Sequence, residues 1–254
     1  MTPSLLAPVP MSDRPDSDSS APDDPGPTPD RLARLVTPYP QGPGTFLVVL
    51  DADSTLIRDE VIELLADAAG SRAHVAAVTE AAMRGELDFA ESLRERVATL
   101  AGLPVSVFAD VGRLIRKTPG VHELIDSLHA GGNRVGVVSG GFHELLDPLA
   151  AELGLDHWRA NRLEVRDGQL TGGLVGPIID ALAKAQALTE WADAEAIPLP
   201  RTVAVGDGAN DLEMMRVAGL AVAFNAKPRV KRQADVVIDA LDLSQILPLL
   251  GLRA

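Results

Sequence analysis

Two aspartates that follow an apolar run carry the strongest chemical signal in the sequence. Asp51 and Asp53 come directly after Phe46 to Leu50, and this apolar run predicts a buried strand. The pair therefore leaves the carboxyl end of one strand and can face one cleft. Like charges held close together raise a pKa, whereas a divalent cation or a hydrogen-bond donor lowers one, so the pair can divide into a nucleophile and a proton carrier. Taken alone, the same residues also fit a solvated turn between a strand and a helix.

Two further predicted strands end in polar, glycine-rich segments. Val135 to Val138 leads into Ser139-Gly140-Gly141, and Val203 to Val205 leads into the acidic segment Gly206 to Asp211. In an open parallel sheet the carboxyl ends of the strands meet at one edge, where ligands bind. Lys184 precedes the last of these strands on a predicted helix and can bring a positive charge to that edge, although a lone lysine is more often on a solvated helix face. The ordered set of motifs favours an active site.

In their order and spacing, these residues resemble the haloacid dehalogenase-type phosphohydrolases and, among them, the phosphoserine phosphatases. The resemblance runs from about Phe46 to the C-terminus, and it includes Glu60, the segment Met83 to Arg96 and the segment Ala160 to Leu163. Ala52 replaces the Phe or Met usual between the two aspartates, and its side chain is expected to point away from the cleft. Residues 1–44 match nothing in the family.

The resemblance implies an Mg²⁺-dependent hydrolase that converts O-phospho-L-serine to L-serine and phosphate, the last step of serine biosynthesis. Asp51 would attack phosphorus to form an aspartyl phosphate, and Asp53 would protonate the leaving alkoxide and then take a proton from water. Asp51, the backbone carbonyl of Asp53 and Asp207 would hold Mg²⁺, and Asp211 would orient this set or pair with Lys184. The residues implied to hold the phosphate or water are Ser139, Gly140, Gly141, Lys184 and Asn210.

Four residues in the predicted cap are implied to select the substrate. Glu60 would meet the substrate ammonium and Arg96 its carboxylate, because arginine offers a bidentate fork to a carboxylate. Met83 and Phe89 would close the apolar side. Each also has a plain structural interpretation: Glu60 as a first-turn acid, Arg96 as a partner of polar neighbours on its helix, and the two apolar residues as core.

Four other functions fit part of the pattern. A phosphotransferase, or a phosphatase for another small phosphomonoester, would keep the same core. A non-enzymatic phosphoserine sensor would have no use for the general acid Asp53, which therefore argues against it. P-type ATPases resemble the chain around Gly206 to Asp211, but they carry threonine in place of Asp53 and need membrane spans.

Bulk composition favours a cytoplasmic enzyme with a small-molecule substrate. The 254 residues are 46% hydrophobic, contain no cysteine and carry a formal net charge of −13. No apolar run approaches the roughly 18 residues of a membrane span, and the start lacks the basic region of a secretory signal. Nucleic acid is excluded as a partner because a phosphate backbone demands a basic face. A basic group at Lys227, Arg229, Lys231 and Arg232 is interpreted as a solvated helix face, and the expected state is a monomer or homodimer.

The chain is predicted to comprise a tail, a core and a cap. Eleven of the 19 prolines lie in residues 1–44, which predicts a disordered tail, and Met11 is an alternative start. Residues 45–57 and 119–254 are predicted to form the α/β core, and residues 58–118 a helical cap. The cap is inferred because four consecutive helices are too long for a βαβ connection. They are predicted over Glu60 to Ala69, Ala73 to Arg84, Asp88 to Ala101 and Val105 to Lys117.

The alternation of strands and helices resumes after Gly120. A strand from Arg134 to Val138 is followed by a helix from Phe142, which Pro148 is expected to kink or interrupt. Asp167-Gly168 predicts the turn of a β-hairpin between residues 162–166 and 169–174. The expected fold is a Rossmann-like α/β core with a parallel sheet flanked by helices, an inserted helical-bundle cap and a β-hairpin.

Overall fold

A mixed sheet of seven strands runs through the part of the chain that the structure describes. The computed structural model describes residues 44–83 and 87–252, apart from the side chains of residues 80, 82 and 83. The predicted disordered tail lies outside the described residues except at its last position. The strands are β1 (Leu47–Leu50), β2 (Arg134–Phe142), β3 (His157–Arg166), β4 (Gln169–Val175), β5 (Thr202–Gly206), β6 (Leu220–Phe224) and β7 (Val236–Ile238).

Nine α-helices accompany the sheet within the described ranges. They are α1 (Val61–Ala69), α2 (Arg72–Met83), α3 (Phe89–Ala98), α4 (Val107–Gly112), α5 (Val121–Ala130), α6 (His143–Leu153), α7 (Ala181–Ala194), α8 (Leu212–Val217) and α9 (Pro228–Gln233). Shorter 3₁₀ segments cover Leu199–Arg201, Ala209–Asp211 and Leu243–Leu250, and a π-turn covers Ala52–Leu56. Among the described residues, no helix combines the length and apolarity needed to cross a bilayer.

The strand order brings three of the predicted polar strand ends together. The sheet has the order β4-β3-β2-β1-β5-β6-β7, and its neighbours are parallel except for the antiparallel β3 and β4. Leu50, the last residue of β1, lies opposite Val137 in β2 and Val205 in β5. Because the winding direction reverses at β1, the carboxyl ends of these three strands border the crevice where such folds bind ligands.

Helices cover both faces of the sheet, and its central strand β1 is accordingly apolar throughout. In β1, Val48 and Leu50 pack in one cluster with α5 and α6, whereas Leu47 and Val49 pack in the other with α7 and α8. This alternation follows from side chains that point to opposite faces of a strand. Buried residues on both faces are typical of parallel sheets, and the predicted α/β fold class is confirmed.

The four helices α1 to α4 lie between β1 and α5 and have an apolar cluster of their own. That cluster includes Leu65, Leu93 and Val97, and it extends onto Phe142 at the end of β2. The two chain segments that join these helices to the core pair with each other through a bridge between Ile57 and Lys117. Entry and exit therefore lie side by side, as an insertion requires, while the exact cap limits stay a prediction.

Two predicted elements show the largest differences between the predicted end and the end in the structure. The fourth cap helix was predicted to reach Lys117, but α4 stops at Gly112. The residues that follow Gly112 bond instead to the segment between β1 and α1. There the backbone N–H of Arg116 donates to Asp59 Oδ2 at 2.7 Å. Strand β2 was predicted to end at Val138, yet it continues with a register irregularity as far as Phe142, which pairs with Asn161.

Pro148 was expected to kink or interrupt its helix; the interruption is wrong and the kink stays a prediction, whereas the hairpin prediction is confirmed. Helix α6 continues through Pro148 to Leu153, and its apolar residues before and after the proline pack in buried clusters of the protein. In the hairpin, Asp167 and Gly168 have φ angles of 51° and 76°. Two consecutive positive φ angles are the conformation that a type I′ turn requires.

Candidate active site

Asp51 is buried at the end of β1 and is held by three polar contacts. Its backbone N–H donates to the carbonyl of Val205 in β5 at 2.9 Å. Its Oδ1 accepts from the backbone N–H of Ala52 at 2.7 Å and lies 2.7 Å from Lys184 Nζ. Both side-chain contacts therefore go to one oxygen, which fixes the orientation of the carboxylate.

Lys184 on α7 bridges Asp51, which follows β1, and Asp211, which lies in the turn after β5. It is fully buried, and its Nζ lies 2.7 Å from Asp51 Oδ1 and 2.8 Å from Asp211 Oδ1. Burial disfavours the ammonium, but the charges of Asp211 and Asp51 outweigh it and hold the pKa of Lys184 above its ordinary value. The lysine is therefore a fixed positive charge beneath Asp51, and the alternative of a solvated helix face is wrong.

Asp211 closes the acidic turn after β5. Its Oδ2 accepts from the backbone N–H groups of Asp207 at 3.1 Å and Gly208 at 3.0 Å. A side chain at Gly206 would collide with this carboxylate, so the turn requires glycine there. Since Lys184 donates to the other oxygen, both oxygens of Asp211 already have partners within the protein.

Asp53 lies in an environment that favours the neutral form of its carboxyl group. Its Oδ2 accepts weakly from the backbone N–H of Val61 at 3.4 Å, and its Oδ1 is buried with no hydrogen-bond partner among the described residues. Burial, followed by the negative charges of Glu60 and Asp51, raises its pKa well above the ordinary value. A protonated carboxyl group at neutral pH suits a general acid.

Three carboxylates could hold a metal ion. Oxygens of Asp51, Asp207 and Asp211 lie within 4.8 Å of one another. Burial, together with the nearby charge of Asp211, raises the pKa of Asp51 to about 8 and that of Asp207 to about 6, which shows how closely the negative groups are held. Because the oxygens of Asp211 are already occupied, Asp51 and Asp207 are the better ligands. An all-oxygen set with surplus negative charge fits a hard divalent cation.

A cleft of about 120 Å³ opens above these groups. Its core side is lined by Asp51, Asp53, Gly140, Gly141, Asp207, Gly208, Asn210 and Lys227. Its cap side is lined by Glu60, Ile62, Phe89, Leu93 and Arg96. The core side of the cleft thus carries the carboxyl groups of three aspartates. The cap side carries one carboxylate, one guanidinium and apolar side chains.

The two charged cap residues are held by local contacts. Ser54 donates from Oγ to Glu60 Oε1 at 2.7 Å, and Ser54 has the left-handed φ of 59° that non-glycine residues rarely adopt. Arg96 donates from Nε to the carbonyl of Ser92 at 3.1 Å, one turn earlier on α3. Among the described residues, no hydrogen bond or ion pair occupies the terminal nitrogens of Arg96, so they are available to a ligand in the cleft.

Comparison with known proteins identifies the family. Residues 48–216 match the model of the haloacid dehalogenase-like hydrolases, which is more than half of the chain. This chain is a haloacid dehalogenase-like hydrolase. The family predicted from the sequence is thereby confirmed.

Individual relatives of this hydrolase carry the name phosphoserine phosphatase. One from Mycobacterium tuberculosis is 54% identical over 205 residues, which cover 81% of this chain and 50% of the relative. One from Streptococcus thermophilus is 50% identical over 204 residues, which cover 80% of this chain and 95% of the relative. The hydrolase therefore spans about half the length of the first and nearly all of the second.

A solved structure supports the same relationship. It is described as a phospho-aspartyl intermediate analogue of phosphoserine phosphatase, and it is 43% identical to the hydrolase with a TM-score of 0.77. The match covers 82% of this chain and 100% of that one.

The predicted site residues of the hydrolase fall into two layers. Most of them line the cleft directly, but Lys184, Asp211 and Ser139 are buried beneath its surface. Ser139 Oγ accepts from the backbone N–H of Gly141 at 2.8 Å, so its own hydrogen is available for another acceptor. Ala52 packs in the core, away from the cleft, whereas the side chain of Met83 lies outside the described residues.

Sequence reasoning missed two kinds of residue in this hydrolase. Lys227 lines the cleft, although its basic group was interpreted as a solvated helix face. It follows β6, so the rule that selected the other strand ends would have found it. Thr55, whose Oγ donates to Asp207 Oδ1 at 3.3 Å, and Ser54 follow Asp53 directly, and that adjacency was the available signal.

The metal-free hydrolase is expected to lose stability as pH rises from about 4 to about 8. The folded pKa values of Asp51 and Asp207, about 8 and about 6, both exceed the ordinary 3.8. The folded state therefore binds more protons than the unfolded state in this window, and its stability falls as these protons are lost. Urea unfolding in the presence of a chelator measures this, and Asp51→Asn should flatten the slope. A stability that rises across the window would contradict the prediction.

Proposed function

We propose that this chain hydrolyses O-phospho-L-serine to L-serine and phosphate, through an aspartyl phosphate on Asp51 and with Mg²⁺ as cofactor. The observation that carries the proposal is that one cleft brings Glu60 and Arg96 over Asp51 and Asp53. The names of the relatives support the same substrate.

The chemistry begins with Asp51 as the nucleophile. Its Oδ1 is held by Lys184 and by the N–H of Ala52, so Oδ2 is the oxygen that would attack phosphorus. The ammonium of Lys184 favours the ionised form of Asp51, against the burial that raises its pKa. Attack would form an acyl phosphate and divide the hydrolysis into two displacements.

Asp53 then carries the proton through both displacements. In its neutral form it would donate a proton to the serine oxygen as the bond to phosphorus breaks, because a serine alkoxide is a poor leaving group. The carboxylate that results would take a proton from the water that attacks the acyl phosphate. Each cycle therefore returns Asp53 to the protonated state that its surroundings favour.

Mg²⁺ and the polar groups around it would stabilise the phosphoryl group. When bound by Asp51, the backbone carbonyl of Asp53 and Asp207, Mg²⁺ would supply positive charge that favours ionised carboxylates and polarises phosphoryl oxygens. The protein groups proposed to hold the phosphoryl oxygens are Ser139, Gly140, Gly141, Lys184 and Asn210. Fixed donors of this kind act where negative charge lies in the transition state.

The cap residues match the other end of phosphoserine. Glu60 would bind the ammonium, and the free nitrogens of Arg96 would bind the carboxylate as a fork. Phe89 contributes an apolar wall beside the short carbon chain. An apolar role for Met83 stays a prediction.

Phosphate release across a panel of esters tests the proposal. The panel comprises phosphoserine, phosphothreonine, phosphoethanolamine and sugar phosphates, each with Mg²⁺ and with a chelator. We expect phosphoserine to have the highest kcat/KM and the chelator to remove activity. Serine and phosphate released in equal amounts, with a hydroxyl acceptor present, would support a hydrolase, whereas a phosphate deficit would indicate a phosphotransferase. A higher kcat/KM for a sugar phosphate would contradict the substrate.

Arg96→Ala is expected to lower kcat/KM for phosphoserine about 10- to 100-fold, the equivalent of about 1.5–3 kcal/mol for hydrogen bonds to a charged group. Phosphoethanolamine lacks the carboxylate, so its turnover should change far less. Steady-state kinetics on both substrates measure the difference. Arg94→Ala is the matched control, because Arg94 is an exposed arginine on the same helix. Equal losses on both substrates would show that Arg96 is structural.

The cytoplasmic location, the role in serine biosynthesis and the monomeric or dimeric state are also parts of the proposal. Expression of the chain in a bacterial strain that lacks phosphoserine phosphatase tests the biological role. We expect growth without added serine, and no growth with Asp51→Asn.

A further inference from the structure

Lys227 is a cleft residue to which the mechanism above assigns no role. It follows β6 and precedes α9, and its backbone N–H donates to the carbonyl of Asp207 at 3.1 Å. This bond holds the residue beside the acidic turn, and its exposed side chain lines the cleft with Asp207 and Asn210. Lys227 is thus on the core side of the cleft mouth, within reach of solvent.

The charges around the cleft show why a cation is useful there. Asp51, Glu60 and Asp207 line the cleft beside Asp53, whose neutral form is favoured, and the chain carries a formal net charge of −13. In residues 44–83 and 87–252, the lining cations are Arg96 on the cap side and Lys227 on the core side. A phosphate dianion therefore approaches a surface that repels it unless a local cation attracts it.

The deeper lysine cannot supply this attraction by itself. Lys184 is fully buried, and its ammonium is already shared between Asp51 and Asp211. Lys227, by contrast, has no salt bridge to a carboxylate in the described part of the chain.

We propose that Lys227 is a substrate-binding residue that attracts the phosphate group into the cleft and holds it against the core side. This inference rests on the proposed phosphatase function. A lysine suits the role because its ammonium is a point charge on a flexible stem, which can follow a phosphate from the cleft mouth to the floor. The residue would set the preference for doubly charged phosphomonoesters and would also retain free phosphate before release.

The neighbouring basic residues do not share this position. Lys231 pairs with Asp239 at 2.5 Å, and neither Lys231 nor Arg229 lines the cleft. Arg229 is exposed on α9, two residues beyond Lys227, which directly precedes that helix. Arg229→Gln therefore removes the same unit of charge from nearly the same place and is the matched control for Lys227→Gln.

The test compares these variants in two measurements. One is kcat/KM for phosphoserine against ionic strength, and the other is the affinity for inorganic phosphate by calorimetry in the presence of Mg²⁺. We expect Lys227→Gln to lower kcat/KM and phosphate affinity about 10-fold at low ionic strength, and the difference to shrink as salt screens the charge. Lys227→Arg should keep most of both, and Arg229→Gln should match the unmodified protein.

Two results distinguish a failure of the proposed role of Lys227 from a failure of the proposed function. Equal behaviour of Lys227→Gln and Arg229→Gln in both measurements would overturn the role of Lys227 and leave the proposed function intact. Failure of the unmodified protein to release phosphate from any ester would refute the proposed function, while calorimetry with inorganic phosphate would still decide whether Lys227 binds phosphate. Should Lys227→Gln not fold, Lys227→Met keeps the apolar stem and permits the same comparison.

Discussion

Asp51→Asn is expected to lower phosphate release from phosphoserine by about 10⁴-fold or more, because it removes the nucleophile. Asparagine has nearly the same shape as aspartate, and its carbonyl oxygen can still accept from the N–H of Ala52. The substitution also removes one of several like charges that are buried together with Asp207 and Asp211. The fold should therefore stay intact while the chemistry stops.

Three measurements check this outcome. Phosphate release gives the activity, circular dichroism with thermal unfolding gives the fold, and mass spectrometry after mixing with substrate detects a phosphorylated protein. The unmodified protein should show the added phosphate and Asp51→Asn should not. Asp110→Asn, which removes an exposed carboxylate that pairs with Arg113, should keep full activity. Retention of activity in Asp51→Asn would refute the aspartyl-phosphate mechanism.

Lys184→Met is expected to destabilise the metal-free protein by about 3–5 kcal/mol and to remove activity as well. Methionine fills most of the space of the lysine stem but supplies no charge. Asp211, which is fully buried, would then face Asp51 and Asp207 without a cation between them. An uncompensated buried carboxylate costs more than the lost ion pair itself contributed, because the charge cannot be solvated.

A double-mutant cycle with Asp211→Asn separates this electrostatic effect from lost packing. Urea unfolding at neutral pH with a chelator gives the free energy of unfolding for each variant. The double variant should recover part of the stability that Lys184→Met loses, with a coupling of about 1 kcal/mol or more. Losses that simply add would contradict the claim that Lys184 and Asp211 act as one charged unit.

Local sequence signals predicted much of the fold. Helix α5 has the predicted bounds, Val121 to Ala130, because a glycine precedes it and two follow it, and its apolar spacing is regular. The hairpin turn at Asp167-Gly168 was predicted because two residues are enough to define it. Such features depend on neighbours in the chain, and the sequence contains all of them.

Errors arose where a partner far along the chain decides the structure. Two glycines after Val138 indicated the end of a strand, but pairing with β3 carries β2 on to Phe142. The fourth cap helix was predicted to continue as far as Lys117. In the structure Lys117 pairs with Ile57 instead, so the helix is shorter than predicted. In both cases a hydrogen-bonding partner in the tertiary structure outweighed local preference.

The sequence by itself determined which chemical groups stand at the ends of strands, and it therefore predicted the nucleophile, the acid and the acidic turn. Tertiary structure alone decided their charge states and neighbours. Thr55 and Asp207 meet although 152 residues separate them, and Lys184 meets Asp211 across 27. Burial and Coulomb interactions sum over all groups nearby in space, so the raised pKa of Asp53, the charged Lys184 and the position of Lys227 in the cleft emerge only once the chain is folded.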